Sequence, residues 1–318
     1  MGKKDDYQFD YLDDNRRFAD QINGALFNGR QIVKPDELEQ EESQTVNTEE
    51  KKEKSSIKTI VDKIRMWKGK KLHILVVENQ NYVDYQMVLR NMLSESNGYR
   101  KQWRRKKRVH EETGDLKNED EYLSGMKRDE KFTPIITLVV YFGTDGKWDG
   151  ARCLHDLLDI DDEFRKYVTN YRLNLYDCQE HDTFDEYHTG LRQVFESVRY
   201  SKDKEKLKNI MEQNKEAYSK IDRDTKDMLN VVANVKIPEK FKIVEDGEER
   251  YDMCKAFEDM RIEGFEEGIE KGIEKGIRIL IQAYQELGIS RDVIIQKCAE
   301  KFEMTDERAD DYVKKYCV

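Results

Sequence analysis

The chain has 318 residues, with 57 lysines and arginines against 67 aspartates and glutamates, for a formal charge of −10. Hydrophobic residues make up 37% and charged residues 39%, so a core is expected beside long solvated stretches; 17 Tyr, 12 Phe and 3 Trp exclude uniform disorder, and 3 Pro exclude a proline-rich linker protein. The apolar run from Pro134 to Phe142 is far too short to span a bilayer and Met1-Gly2-Lys3-Lys4-Asp5-Asp6 opens no apolar leader, so a cytoplasmic protein without a membrane partner is expected. Cys153, Cys178, Cys254, Cys298 and Cys317 are scattered and form no CxxC pair, which fits a reducing compartment. Cys178 lies near His181 and His188, but four tightly paired ligands are lacking, so ordinary core and surface roles are expected rather than zinc.

In chain order, residues 7–33 read as a helix: Tyr11, Phe18, Ile22, Ala25 and Leu26 recur at helical spacing and Asn28-Gly29 supplies a stop. From Asp36 to Glu53 eight acids stand against two lysines, which predicts a solvated acidic loop over about 36–56. Residues 57–67 carry Ile57, Ile60, Val61, Ile64 and Trp67; residues 72–78 read Leu-His-Ile-Leu-Val-Val-Glu; Lys68-Gly69-Lys70-Lys71 between them reads as a hairpin turn. The second run is apolar on both faces, which marks a central strand. A helix is expected from about Val83, through Met87, Leu89 and Met92, to Trp103, followed by a polar segment over 110–128. Pro134–Phe142 is the strongest strand signal; Gly143–Gly150 reads as a loop, Leu154–Leu158 as a short helix, Tyr171–Tyr176 as a strand, and 183–200 and 203–235 as amphipathic helices. This order predicts an α/β or α+β sandwich with a small sheet.

After Pro238 the composition shifts. Residues 245–276 hold twelve acids and five basic residues, and glycines recur at 264, 268, 272 and 276, followed by Phe265, Ile269, Ile273 and Ile277. The division expected is a domain over 1–240, a glycine-repeat helix or tether over 241–277, and a small helical module over 278–318. Four helical glycines each cost about 1 kcal/mol relative to Ala. Either self-association through the Gly/Ile stripe or a solvated tether accounts for them.

The informative chemistry lies at Asp62, Glu78, Asn79 and Gln80. Asp62 is the only acid between Lys54 and Val77, and Glu78 ends an otherwise apolar strand. A carboxylate there is costly unless solvated, paired or bound to a cation. Glu78 and Gln80 share one strand face. If Asp62 lies on the neighbouring strand on that face, two carboxylates converge, and such ligands suit Mg²⁺, which can polarise a phosphate and lower the pKa of an attacking water. A two-residue turn at Gly69-Lys70 would pair 62 with 77 and put Asp62 and Glu78 on opposite faces; an odd-length turn or a bulge would bring them together. The bland alternative is that Glu78 caps a strand end and Asp62 faces water.

Arg100, Lys101, Arg104, Arg105, Lys106, Lys107 and Arg108 lie within nine residues without an acid. Such a cluster can contact phosphates and release counterions, or can simply be a solvated helix end. Tyr82, Tyr85, Tyr99 and Trp103 nearby could stack on unpaired bases, but at helical spacing they are read as core.

Several blocks carry a resemblance: Phe18-Ala-Asp-Gln-Ile-Asn23 with Phe27-Asn-Gly29; Val76-Val-Glu-Asn-Gln80 followed by Val83-Asp-Tyr-Gln-Met87 and Leu89-Arg-Asn-Met92; Phe132-Thr-Pro-Ile-Ile-Thr-Leu-Val-Val-Tyr-Phe-Gly143 with Trp148-Asp-Gly150; and the glycine-repeat tail. Over roughly residues 16–200 and the tail, the chain resembles the recombination-promoting nuclease and putative transposase family. The resemblance implies a PD-(D/E)XK core of αβββαβ order with a helical C-terminal extension, and metal-dependent cleavage of DNA with Mg²⁺, for which Mn²⁺ could substitute. Carried over by position, Asp62 and Glu78 match the metal-binding acids and the carbonyl of Asn79 a further ligand. Gln80 stands where the superfamily usually has Lys and can offer only a neutral donor or acceptor. Asp20 is a candidate auxiliary acid. Ser94-Glu95 departs from the family's common Tyr-Asp. The expected function is a Mg²⁺-dependent DNA endonuclease, with Asp62, Glu78 and Gln80 catalytic and Arg100, Lys101, Arg104, Arg105, Lys107 and Arg108 on the DNA. A transposase with a ribonuclease-H-like acidic triad is disfavoured, because no third acid ends a clear later strand. The alternative is a catalytically degenerate scaffold of the same fold that binds DNA or forms homo-oligomers through the glycine-repeat helix.

Overall fold

The computed structural model describes residues 7–8, 10–40 and 63–316, in two compact units, Met1–Met253 and Cys254–Val318. In the first, helix α1 (Asn15–Phe27) starts at Asp14, whose side chain accepts from the Arg16 amide at 2.8 Å, and ends at Asn28 with a left-handed φ of 51°. The Asn28-Gly29 stop thus acts where the sequence places it, and the expected helix is helical at residues 7–8 and 10–11, is broken at 12–14 and resumes at Asn15.

A five-stranded sheet follows in the order β1 (Leu38–Gln40), β2 (Lys63–Lys68), β3 (Leu72–Gln80), β4 (Ile135–Tyr141) and β5 (Asn174–Asp177). The β1–β2 and β2–β3 pairs are antiparallel, and β3–β4 and β4–β5 parallel. The fold is therefore mixed α/β. β3 is central, as its continuous apolar run predicts. The start of the acidic stretch, residues 36–40, is not a loop. Pro35–Glu37 forms a 3₁₀ turn, Leu38 is buried, Glu37 accepts from the Trp67 indole at 2.8 Å, and Glu39 pairs with Lys68. On β2 the Lys68 ammonium offsets the Glu39 charge while the Trp67 indole only hydrogen-bonds Glu37, and a short charged strand suits a sheet edge. The rest of that stretch, from 41 onward, and the hairpin's residues 57–62 lie outside the described residues.

Helix α2 (Met87–Thr113) lies against one sheet face. Tyr99 packs on Ile64, Ile74, Val76 and Ile135 and its hydroxyl accepts from the Ile135 amide at 3.0 Å; Met87 packs on Val139, Tyr141 and Trp148. The helix starts at Met87, not Val83, and runs ten residues past Trp103. Helix α1 covers the other face, where the Arg65 guanidinium lies over Phe18 and the Gln21 amide reaches Asn79 Oδ1 at 3.4 Å. Helix α4 (Leu191–Arg199) stacks Phe195 on Phe142; α3 (Glu119–Ser124) lies within the expected polar segment.

The amphipathic stretch 203–235 is broken. It gives α5 (Lys204–Gln213), strand β6 (Ile221–Asp222) and α6 (Arg223–Val232), with Asp203 and Asp222 each capping a new start. A hairpin, β7 (Lys242–Glu245) and β8 (Glu248–Tyr251), pairs with β6. Its turn, Asp246-Gly247, has φ of 52° and 82°, the left-handed pair that an Asp-Gly hairpin turn needs. The first unit thus extends past residue 240 to include this hairpin.

In the second unit the glycine repeat is a continuous helix, α7 (Met253–Glu286). A Cβ placed on Gly264, Gly268 or Gly272 would meet nothing within 4 Å, whereas on Gly276 it would come 3.2 Å from Phe302. Ile262, Phe265, Ile269 and Ile273 are exposed. Ile277 and Ile281 pack with α8 (Arg291–Lys301) and α9 (Asp306–Tyr316) through Ile294, Cys298, Ala309 and Val313. The module's core therefore recruits the last turns of the repeat helix.

Candidate active site

Glu78 lies near the C-terminal end of β3, opposite Val139 of β4, and is only 1% exposed. Its face carries Ile74, Val76 and Gln80 and is the one α2 covers. The helix supplies its counter-charge. Arg90 Nη2 is 3.4 Å from Glu78 Oε2, and Arg90 Nη1 pairs with Asp84, whose other oxygen accepts from the Gln86 amide at 2.8 Å. A carboxylate so deeply buried stays charged only with such partners. The Glu95 carboxyl, further along α2, is pushed up by burial and accepts hydrogen bonds from Tyr171 and Thr137. The Tyr171 phenol is pushed up by burial first, then by the charges of Glu95 and Glu78. Glu78, Arg90, Glu95 and Tyr171 thus belong to one wall.

The other predicted residues distribute as follows. Asp62 lies outside the described residues. The hairpin condition attached to it is met on the described side: Lys68 pairs with Leu72 across a three-residue connection, and Lys63 pairs with Val77. Gln80 is half-buried, on the Glu78 face, and its carbonyl accepts from the Phe142 amide at 2.7 Å. Asn79 points to the α1 face, toward Gln21. Asp20 is not brought to Glu78 and is not solvated either. It is 3% exposed and accepts from the His188 amide at 3.0 Å, the Thr189 amide at 2.8 Å and the Thr189 hydroxyl at 2.7 Å, which orders the chain entering α4. Lys63 and Arg65 are buried on that same α1 face; Lys63 pairs with Asp13, and burial lowers its ammonium pKa below the usual range.

Sequence reasoning missed Arg90. The available signal was a lone arginine beside Met87, Val88, Asn91 and Met92, six residues after Asp84, in a helix meant for burial. Tyr82 and Tyr85, read as core, are 77% and 63% exposed. They precede α2, so helical spacing does not apply to them. Tyr99 is packed on the sheet as expected, and the Trp103 indole donates to the Ser124 carbonyl at 2.9 Å.

The basic residues occupy the far half of α2. Arg100 donates to Asn97 at 3.0 Å, and Lys107 and Arg108 approach Glu111 and Glu112 at 3.9 and 3.8 Å. Lys106 pairs with Glu130 at 2.7 Å. His110 is buried between two carboxylates, Asp115 at 2.7 Å from Nδ1 and Glu130 at 3.0 Å from Nε2, which push its pKa up. Lys127 pairs with Asp115. These contacts strap residues 115–133 to the helix and leave a groove of about 370 Å³ between Arg105, Lys106, Val109, Thr133 and Met66.

Among the described residues no three His, Cys, Asp or Glu side chains gather as a metal cage. The donors at the end of β3 are hard oxygens, which fits an ion that takes one or two carboxylates and keeps its waters. Cys178 is buried, with its thiol pKa pushed up by burial, and His181 stacks on Tyr176 at 4.4 Å. Among the described residues no helix is long and apolar enough to cross a membrane.

No curated protein and no solved structure matches the chain. The family described as "Putative transposase, YhgA-like" matches residues 28–228, a span that holds the whole five-stranded sheet, Glu78, Arg90 and the basic half of α2. That span is more than half of the chain, and the chain belongs to the family of YhgA-like putative transposases.

Proposed function

We propose that the chain is a divalent-metal-dependent DNA endonuclease of the PD-(D/E)XK type that works in the cytoplasm. The observation that carries this reading is Glu78: a carboxylate 1% exposed at the end of the central strand, held against Arg90. The order α1, β1, β2, β3, α2, α3, β4 supports an αβββαβ core. By the family resemblance, Asp62, Glu78 and the Asn79 carbonyl would hold Mg²⁺ or Mn²⁺. The ion, when bound, polarises the phosphate and lowers the pKa of the attacking water.

The chain's own groups do the rest. Arg90 pairs with Glu78 and brings a guanidinium to the site where Gln80 brings none. Gln80 orients water or a phosphate oxygen through its neutral amide. Water adds to phosphorus, the bond to one sugar oxygen breaks, and the ends leave as a phosphate and a hydroxyl. Arg100, Lys101, Arg104, Arg105, Lys107 and Arg108 hold the backbone and carry no sequence information. The exposed Ile262, Phe265, Ile269 and Ile273 pair with another copy of the chain; sedimentation of Ile269→Asp at a lower mass than wild type checks this.

A second reading, a DNA-binding scaffold without cleavage, is favoured by the Arg90 contact, because a guanidinium against Glu78 competes with a metal ion. Plasmid nicking in Mg²⁺, Mn²⁺ and chelator decides. Cutting that needs the ion and is lost in Glu78→Ala supports the nuclease, and DNA binding without cutting under either ion supports the scaffold.

A further inference from the structure

We propose that Tyr82 and Tyr85 form a base-stacking platform at the mouth of the Glu78 site, and that the DNA taken there carries unpaired bases beside the phosphate. The role of that phosphate rests on the nuclease reading; the stacking does not. Both tyrosines lie in the loop between Gln80, the last residue of β3, and Met87, the first of α2. The loop is fixed on both sides of each ring. Val83 turns inward onto Met87, Val139, Tyr141 and Trp148. Asp84 caps the Gln86 amide and pairs with Arg90, the residue that reaches Glu78. The Tyr85 hydroxyl donates to Asp149 Oδ2 at 3.4 Å. An anchored loop thus holds two exposed rings, and the Asp84–Arg90–Glu78 contacts tie their position to the carboxylate.

Charge alone would not draw nucleic acid to this mouth, where Asp84, Asp149 and Glu78 stand against Arg90. Stacking on an aromatic face needs no net positive charge and tolerates any base. Bases inside a duplex already stack on each other and offer no free face, whereas single strands, gaps and frayed ends do. Arg90 can then take the adjoining phosphate.

The test measures binding in chelator, where nothing is cut. Dye-labelled single-stranded, gapped and blunt duplex DNA of about 20 nucleotides are compared by anisotropy, with 2-aminopurine as the unpaired base reporting stacking by its quenching. Wild type is expected to quench. The Tyr82→Ala, Tyr85→Ala double variant should lose quenching and bind single-stranded and gapped DNA about tenfold or more weakly, with blunt duplex changed less than about twofold. The corresponding Phe variants should keep both properties. An Ala double variant that quenches as wild type does, or that loses blunt duplex equally, overturns the proposal. Quenching without any cutting in Mg²⁺ or Mn²⁺ leaves the platform standing and removes the nuclease; cutting with no quenching does the reverse.

Discussion

The two ends of helix α2 use the same residue type in opposite ways. Near its start, Arg90 sits against a carboxylate almost sealed from water and reaches Asp84 with its other nitrogen. Fifteen residues on, roughly 22 Å along the axis, Arg104, Arg105 and Arg108 stand exposed, and Arg108 lies 3.8 Å from Glu112 on its own helix. The first arrangement is expensive to break, because removing one partner strands a buried charge. In the second, each ion pair is worth well under about 1 kcal/mol and only the sum over many phosphates matters. One end holds its charge in a fixed geometry, and the other presents exposed charge whose interactions salt can screen.

Substitutions at each end break or sharpen this contrast. Glu78→Ala should cut plasmid nicking about 100-fold or more, while anisotropy shows DNA affinity nearly unchanged. Unchanged nicking would leave the buried end without a catalytic role. Arg90→Ala should cost about 3 kcal/mol in urea unfolding, against less than about 0.5 kcal/mol for Arg108→Ala; equal losses would erase the contrast. Replacing Arg105 and Arg108 by Gln together should flatten the slope of log affinity against log salt by about 2 without moving the unfolding midpoint.

The smallest effect is a pH dependence at the strap. Glu130 and then Asp115 raise the folded-state pKa of His110, and Lys106 and Lys127 face the same carboxylates. A raised pKa gives stabilisation that is complete below the unfolded value of about 6.5 and is lost as pH rises through the folded value. Hydrogen exchange corrected for intrinsic rates should therefore show residues 115–130 losing protection above that range, while β3 keeps its own.

What the sequence makes legible follows the same division between local and distant causes. β3 and β4 announce themselves because continuous apolar runs need no partner to be recognised, and Asn28-Gly29 because a left-handed cap is a local demand. β1 is hidden in an acidic stretch because the acids there find their partners, the Trp67 indole and the Lys68 ammonium, on another strand. The β7–β8 hairpin carries a local signal in Asp246-Gly247, set within an acidic stretch that otherwise reads as solvated. Tyr85 reads as core only while the helix is taken to start at Val83 rather than Met87, and Tyr82 lies before either start, so helical spacing says nothing of it. Glu78 was found through its local oddity, a charge ending an apolar run. Arg90, its partner twelve residues on, and Asp20, committed to amides of a late segment, depend on contacts that no local pattern encodes.

The Asp20 carboxylate closes a loop of 168 residues by holding the His188 amide. A chain emerging from the ribosome N-terminus first cannot complete that closure until the segment before α4 has been made, so the first unit stays open through most of its synthesis. Closure entropy is then met late, and by contacts distant in sequence, which slows folding and lengthens the exposure of β3. The sheet that carries Glu78 would in this way be kept unfinished until most of the chain exists.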